Sequence, residues 1–236
     1  MTITSPHNEH LKAIRKLNQR RRERARLGRF VAEGEDLLAA ADAAGWVPVE
    51  RYCATGSGLP GAEVEPKLLA QASELGSGTR ALAVFQERWA PTAPGPLCVY
   101  LHGVHDPGNV GTILRSADAF GASSAAIGPG TADPFGPKAV RASMGAVFHV
   151  PLARAYGDLT QLPGTKIALA AGRGHRLDEL ALSDVTLLVG SERDGLPDEM
   201  LEAADHVAQI PIASHSLNAA MAATVALYEA SRMAAG

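Results

Sequence analysis

Beyond residue 96 five apolar runs recur between helical patterns: LCVYLHGV (97–104), SSAAIGP (123–129), KIALAAG (166–172), VTLLVG (185–190) and HVAQIPI (206–212). Each is nearly continuous in apolar residues instead of alternating with polar ones. A strand of that kind is buried on both faces, the situation of a parallel sheet covered by helices on its two sides. Helical spacing between the runs predicts helices over 109–120 and 197–204, and a last one filling the C-terminal stretch. VFHVP (147–151) reads as one more strand. The expectation is an α/β fold with a mostly parallel sheet.

The first eighty or so residues are a second, smaller alternation. Residues 7–27 read as a charged helix with a thin stripe of Leu11, Ile14, Leu17 and later Leu27, stopped by Gly28. A helix in EGEDLLAAADAAG, a strand in VERYCAT, a helix opened by Pro66 and a strand in ALAVFQER follow. Residues 90–96, APTAPGP, suit neither a helix nor a sheet interior. They divide the chain into an N-terminal α/β unit (1–89), a linker (90–96) and a larger unit (97–236).

Composition narrows the class. A chain of 236 residues that is 46% hydrophobic has enough material for a real core. Its two cysteines, Cys53 and Cys98, lie far apart and without metal spacing, which argues against a disulfide framework or a zinc site. No apolar run reaches membrane-spanning length, and the N-terminus is polar and basic. A cytoplasmic protein with no metal and no membrane partner is expected. Charge is unevenly spread: residues 1–30 carry nine Lys and Arg against two Glu, a net of +7, which leaves −10 on the rest of a chain of net charge −3. Lys12, Arg15, Lys16, Arg20, Arg21, Arg22 and Arg24 concentrate it. Such a cluster fits an anionic partner, most simply nucleic-acid phosphate.

Ligands of open α/β sheets bind beyond the C-terminal ends of strands, and three such ends carry unusual chemistry. In HDPGNVGTILRSADAFG (105–121), Asn109 sits near a helix start and Arg115 lies further along that helix. In LLVGSERDGLP (187–197) a strand runs into Gly190, where backbone can approach a ligand, followed by the carboxylate of Glu192. In IPIASHSLNAAMAATVALYEA (210–230), Ser216 and Asn218 precede a small-residue helix that Ser216 is placed to cap. Each stretch also has a purely structural reading: Asn109 as a cap, Arg115 paired with Asp118, a charged turn before Pro197, a capped core helix. Neither a dinucleotide fingerprint nor a P-loop is present.

Taken in order, these stretches resemble the three motifs of the SpoU/TrmH family, the 2′-O-ribose RNA methyltransferases of the SPOUT superfamily. The patterns are N-x-G-x-x-x-R-x-A-x-x-F-G at 109–121, G-S-E-x-x-G-L at 190–196 and I-P-x-x-x-x-S-L-N-x-A at 210–220. KAVRASMGAVFHVP (138–151) is similar to the family segment between the first two motifs. Residues 11–36 resemble the N-terminal substrate-binding domain of the rRNA-modifying branch. The Arg193–Asp194 pair after Glu192 departs from the smaller or more basic pair usual there.

The resemblance implies a SPOUT domain with a deep trefoil knot, a homodimer through that domain, and S-adenosylmethionine as cofactor. It implies cofactor contacts at Gly190, Ile210 and Leu217. It implies a catalytic pocket of Asn109, Arg115, Glu192, Ser216 and Asn218, in which Arg115 either activates the ribose hydroxyl or stabilises its developing charge. The implied activity is methylation of a ribose 2′-hydroxyl in RNA, with 23S rRNA favoured by the two-unit layout. The alternatives are tRNA as substrate, or a catalytically silent RNA-binding or ribosome-assembly protein.

Overall fold

The computed structural model describes residues 2–75, 78–213 and 217–234. The chain opens with α1 (Glu9–Gln19) and α2 (Arg21–Leu27), then β1 (Arg29–Glu33), α3 (Glu35–Ala43), β2 (Glu50–Ala54), β3 (Ala62–Val64), α4 (Pro66–Ala72) and β4 (Ala81–Gln86). The larger unit runs through β5 (Leu97–Leu101), α5 (Pro107–Ala119), β6 (Ser124–Ile127), α6 (Pro137–Ala142), β7 (Leu152–Arg154), β8 (Thr165–Leu169) and β9 (His175–Arg176). It closes with β10 (Val185–Val189), α7 (Asp198–Ala203), β11 (His206–Gln209) and α8 (Ala219–Ala234).

The expected single helix over 7–27 is two. Arg20 leaves helical geometry at φ −129°, ψ 107°, and Arg24 supplies a reason. Its guanidinium donates to the carbonyls of Leu17 and Asn18 at 2.6 and 3.3 Å. These belong to the orphan acceptors at the end of α1, which a cation satisfies well. The expected strand at 147–151 is also different. Residues Ala146–Phe148 form a 3-10 turn, and the strand lies one step later as β7. Its apolar run packs in the core without needing a ladder.

Four strands form the first sheet in the order β1-β4-β2-β3. Period two decides its faces. Val31, Leu82 and Val84 meet Leu11, Ile14 and Leu17 of α1 and Leu68 and Leu69 of α4. Phe30, Ala32, Ala83 and Phe85 face the other way, into a core shared with the second sheet. That sheet has seven strands, in the order β7-β6-β5-β10-β8-β11-β9, and its paired strands are parallel throughout. Val99, Leu101, Leu187 and Val189 lie on the shared side, while Cys98, Tyr100 and Leu188 pack on the other with Leu159, Leu196 and Met200. Strands buried on both faces explain the near-continuous apolar runs.

Aromatic rings join the two sheets. Phe30 lies 4.8 Å from Phe135, Trp46 lies 5.2 Å from Phe148, and the Trp46 indole donates to the Phe148 carbonyl at 2.9 Å. Residues 90–96, expected as a linker, are tied down along the second sheet. The Ala90 N–H donates to Leu152, Ser124 donates to the Pro94 carbonyl, and Pro96 accepts from Val185.

The helical three-and-four spacing of Leu217, Ala220, Met221, Thr224, Val225 and Tyr228 predicts one apolar face for α8, and the structure turns the helix differently. Ala220, Ala223, Leu227 and Ala230 turn inward, whereas Met221, Val225 and Tyr228 are exposed. Small residues let α8 lie close on α5, where Ser116 and Thr224 share a 2.6 Å hydrogen bond.

Candidate active site

The switch in strand order falls between β5 and β10, neighbours in the sheet but far apart in the chain. At their C-terminal ends sit the first two motif loops. Asp106 caps α5, its side chain accepting from the Gly108 N–H at 2.8 Å, and Pro107 takes the first helical position. The helix therefore begins two residues before Asn109, and Asn109 is not its cap. Gly111 is buried in α5, and a Cβ there would run into the Ala139 carbonyl and the Ala142 side chain of α6.

With the capping done by Asp106, the Asn109 side chain is free to reach across. Its Nδ2 donates to Glu192 Oε1 at 2.7 Å. The N–H groups of His105 and Asp106 point at the same carboxylate, both at 3.4 Å. Partial burial by itself would raise the Glu192 carboxyl. Hydrogen bonds from Asn109 and from the backbone outweigh it and hold the group below the ordinary glutamate value. Asn218 completes the set by donating to Asn109 Oδ1 at 3.3 Å. Its own Oδ1 accepts from Ala220 and Met221 at 2.9 and 3.3 Å, so Asn218 caps α8, the role expected of Ser216. Ser216 lies outside the described residues.

A cavity of about 180 Å³ opens beside this set, beyond the ends of β8, β10 and β11. Gly190, Ile210 and Leu217 line it together with Glu192, Val189, Ala170 and Ala222. The loop after β10 closes on itself: Ser191 and Gly195 exchange backbone hydrogen bonds at 3.0 and 3.2 Å. A Cβ at Gly190 would collide with the backbone of Gly195 and Leu196, so closure of that loop already requires the glycine. Small apolar side chains and strand-end backbone groups make a wall suited to a flat heterocycle with a polar tail.

Arg115 is not brought into this set. It is exposed on α5, does not line the cavity and makes no hydrogen bond or ion pair among the described residues. The expected alternative partner, Asp118, instead meets His149 at 3.1 Å. Of the basic residues, Arg24 departs from expectation. It is buried and paired with Asp133 at 2.8 Å, so it is a structural cation with no free face for phosphate. Lys12 pairs with Glu9, and Arg15 reaches the Pro6 carbonyl. Lys16, Arg20, Arg21 and Arg22 are exposed.

Sequence reading missed Asp106 and Lys138, which pair at 2.7 Å at the edge of the site. The Asp-Pro dipeptide was the available signal for the first, since it marks a helix start.

The SpoU rRNA Methylase family profile matches residues 96–228, more than half of the chain. The chain belongs to the SpoU rRNA methylase family. Among its SpoU-type relatives is the 23S rRNA (guanosine(2553)-2'-O)-methyltransferase RlmP of Bacillus subtilis, 29% identical over 96% of this chain and 97% of that protein. The 23S rRNA (uridine(2479)-2'-O)-methyltransferase of Streptomyces viridochromogenes is 38% identical, over 53% of this chain and 49% of that protein. An AdoMet-bound rRNA methyltransferase from Sinorhizobium meliloti superposes with a TM-score of 0.87 at 32% identity, covering 98% of this chain and 97% of that one. The SpoU methyltransferase AviRb of S. viridochromogenes, in complex with AdoMet, gives 0.86 at 26% identity, covering 98% and 99%.

Proposed function

We propose that this SpoU protein transfers a methyl group from S-adenosylmethionine to a ribose 2′-hydroxyl of 23S rRNA. The observation that carries the reading is the joined set Asn109–Glu192–Asn218, built from all three motif loops at the mouth of one cavity. Gly190, Ile210 and Leu217 would hold the cofactor, which supplies an electrophilic methyl on a sulfonium. Glu192 is an anion whose oxygens already accept three hydrogen bonds, so it is a weak base and acts by fixing Asn109. Arg115 has no competing partner among the described residues, and a guanidinium keeps its proton. Its role is to hold the phosphate beside the target ribose and to stabilise charge developing on the 2′-oxygen.

Residues 1–89 act as the RNA-binding unit and 97–236 as the catalytic one, in the cytoplasm where ribosomal RNA is modified. Lys16, Arg20, Arg21 and Arg22 supply the free positive charge. The homodimer gains support from the exposed stripe Met221, Val225 and Tyr228 on α8, extended by Phe120 at 5.7 Å from Tyr228. The trefoil knot gains support from strand order: β10 and β11 take interior places in the sheet, next to strands formed earlier in the chain.

The test uses the purified protein, methyl-labelled S-adenosylmethionine and unmodified 23S rRNA or tRNA. Label entering 23S rRNA at a bond that resists alkaline cleavage is expected, since a 2′-O-methyl blocks that cleavage. Label in tRNA alone would overturn the substrate. Cofactor binding without transfer to either RNA would overturn the activity.

A further inference from the structure

The parallel sheet ends all its strands along one edge, and the cavity described above takes the ends of β8, β10 and β11. On the other side of the switch, the ends of β6 and β7 open into a cleft of about 360 Å³. Arg21 of α2 forms one wall, the Pro129–Gly130 turn another, and Arg154 and Tyr156 the far end. A second hollow of about 380 Å³ shares Arg21, Gly130 and Asp133 with it and continues to His105, Pro107 and Lys138. His105 is one of the residues whose N–H holds Glu192. The two hollows therefore make one trough from Tyr156 to the rim of the reaction site.

Its chemistry is specific. Tyr156 is 77% exposed, with no ring stacked on it among the described residues. In the same cleft the Arg154 guanidinium carbon lies over the Trp89 ring, 4.4 Å from its centroid, and the guanidinium is 3.7 Å from Glu87. Charges along the floor cancel in pairs, Arg24 with Asp133, Arg154 with Glu87 and Lys138 with Asp106. Arg21 is left over: it is exposed and has no ion pair among the described residues. A flat exposed ring at one end and a lone cation along the wall match a base and a phosphate of single-stranded RNA. A small free anion would have no use for the ring, and a duplex keeps its bases stacked on one another.

We propose that this trough holds one or two unpaired nucleotides next to the methylated one, with a base on Tyr156 and a phosphate on Arg21. The proposal rests on the RNA-methyltransferase reading above and adds to it where the flanking strand lies. Single-turnover methylation of unmodified 23S rRNA and calorimetry with S-adenosylmethionine, on the full chain, test it. Tyr156→Ala is expected to lower kcat/KM about tenfold, within the range that one lost base stack gives. Tyr156→Phe keeps wild-type rates, because the ring and not the hydroxyl is used. Arg21→Ala weakens RNA binding and reduces the slope of log affinity against log salt by about 0.7. All three bind cofactor as wild type does, which shows that they are folded. Wild-type kcat/KM in Tyr156→Ala, or an equal loss in Tyr156→Phe, overturns the proposal. Failure of the parent reading shows separately, as absence of transfer by the wild-type protein.

Discussion

Along the line from α2 to the motif loops, the two ends of the molecule treat their polar groups in opposite ways. At the motif loops Asn109, Glu192 and Asn218 are spent on one another and on backbone N–H groups. At the basic helices Arg20, Arg21 and Arg22 are exposed and unpaired among the described residues. The first arrangement fixes geometry in advance, as transfer to one defined atom requires. The second leaves charge available for a flexible polyanion, whose binding depends on the number of neutralised phosphates more than on exact placement. Arg24 belongs to the basic helix by sequence and to the ordered kind of region by structure.

That exception offers the sharpest test of the contrast. Arg24→Ala strands the carboxylate of Asp133 in a part-buried site and uncovers the last carbonyls of α1. Removing one partner of a buried pair costs about 3–5 kcal/mol, which in a chain of this size lowers Tm by roughly 10 °C. Replacing Arg20 and Arg22 by Ala should leave Tm unaltered and reduce the salt slope of RNA binding by about 1.4. Thermal melts and a binding titration over a salt series measure both. A salt slope altered by Arg24→Ala, or a Tm lowered by the double variant, would break the distinction. Deleting residues 1–30 is the poorer experiment, since Leu11, Ile14 and Leu17 are core residues.

Arg115 comes next in size. It lies in the motif region yet resembles Arg20, Arg21 and Arg22 in being exposed with no ion-pair partner among the described residues. If it stabilises charge only when RNA is present, Arg115→Ala lowers kcat by about 10²–10³-fold. Cofactor affinity and Tm remain as in the wild type. Turnover within threefold of wild type would remove Arg115 from the mechanism.

How much of this was legible in the sequence depended on the range of the interaction. Apolar runs and turn residues are local signals, and they marked most strands of the second sheet and the helices between them. Short edge strands such as β3 and β9 carry too few residues to leave a pattern. Motif spacing brought Asn109, Glu192 and Asn218 together in advance, but capping roles were misassigned. A cap depends on where the helix begins, and that start is uncertain by a residue or two. Arg24 was unreadable for a different reason: its partner Asp133 is 109 positions away. A run of arginines gives no sign of which one turns inward.

The smallest effect expected concerns the ordered end of the comparison alone. Glu192 is held below the ordinary glutamate value of about 4.3, its burial outweighed by the hydrogen bonds it accepts. A carboxylate depressed in the folded state contributes stability that is fully present above its unfolded pKa. That contribution is lost as pH falls through the lower folded value. Glu192→Gln cannot titrate, so the wild-type advantage in Tm should be constant from pH 7 to 5 and shrink below about pH 4. Solvent reaches this side chain, which keeps the contribution under about 1 kcal/mol. Melting curves of the two proteins from pH 7 to 3 would measure it. Parallel curves down to pH 3 would mean that the Asn109–Glu192 contact contributes no charge-dependent order to the site, and that Asn218 and the backbone alone hold Asn109 in place.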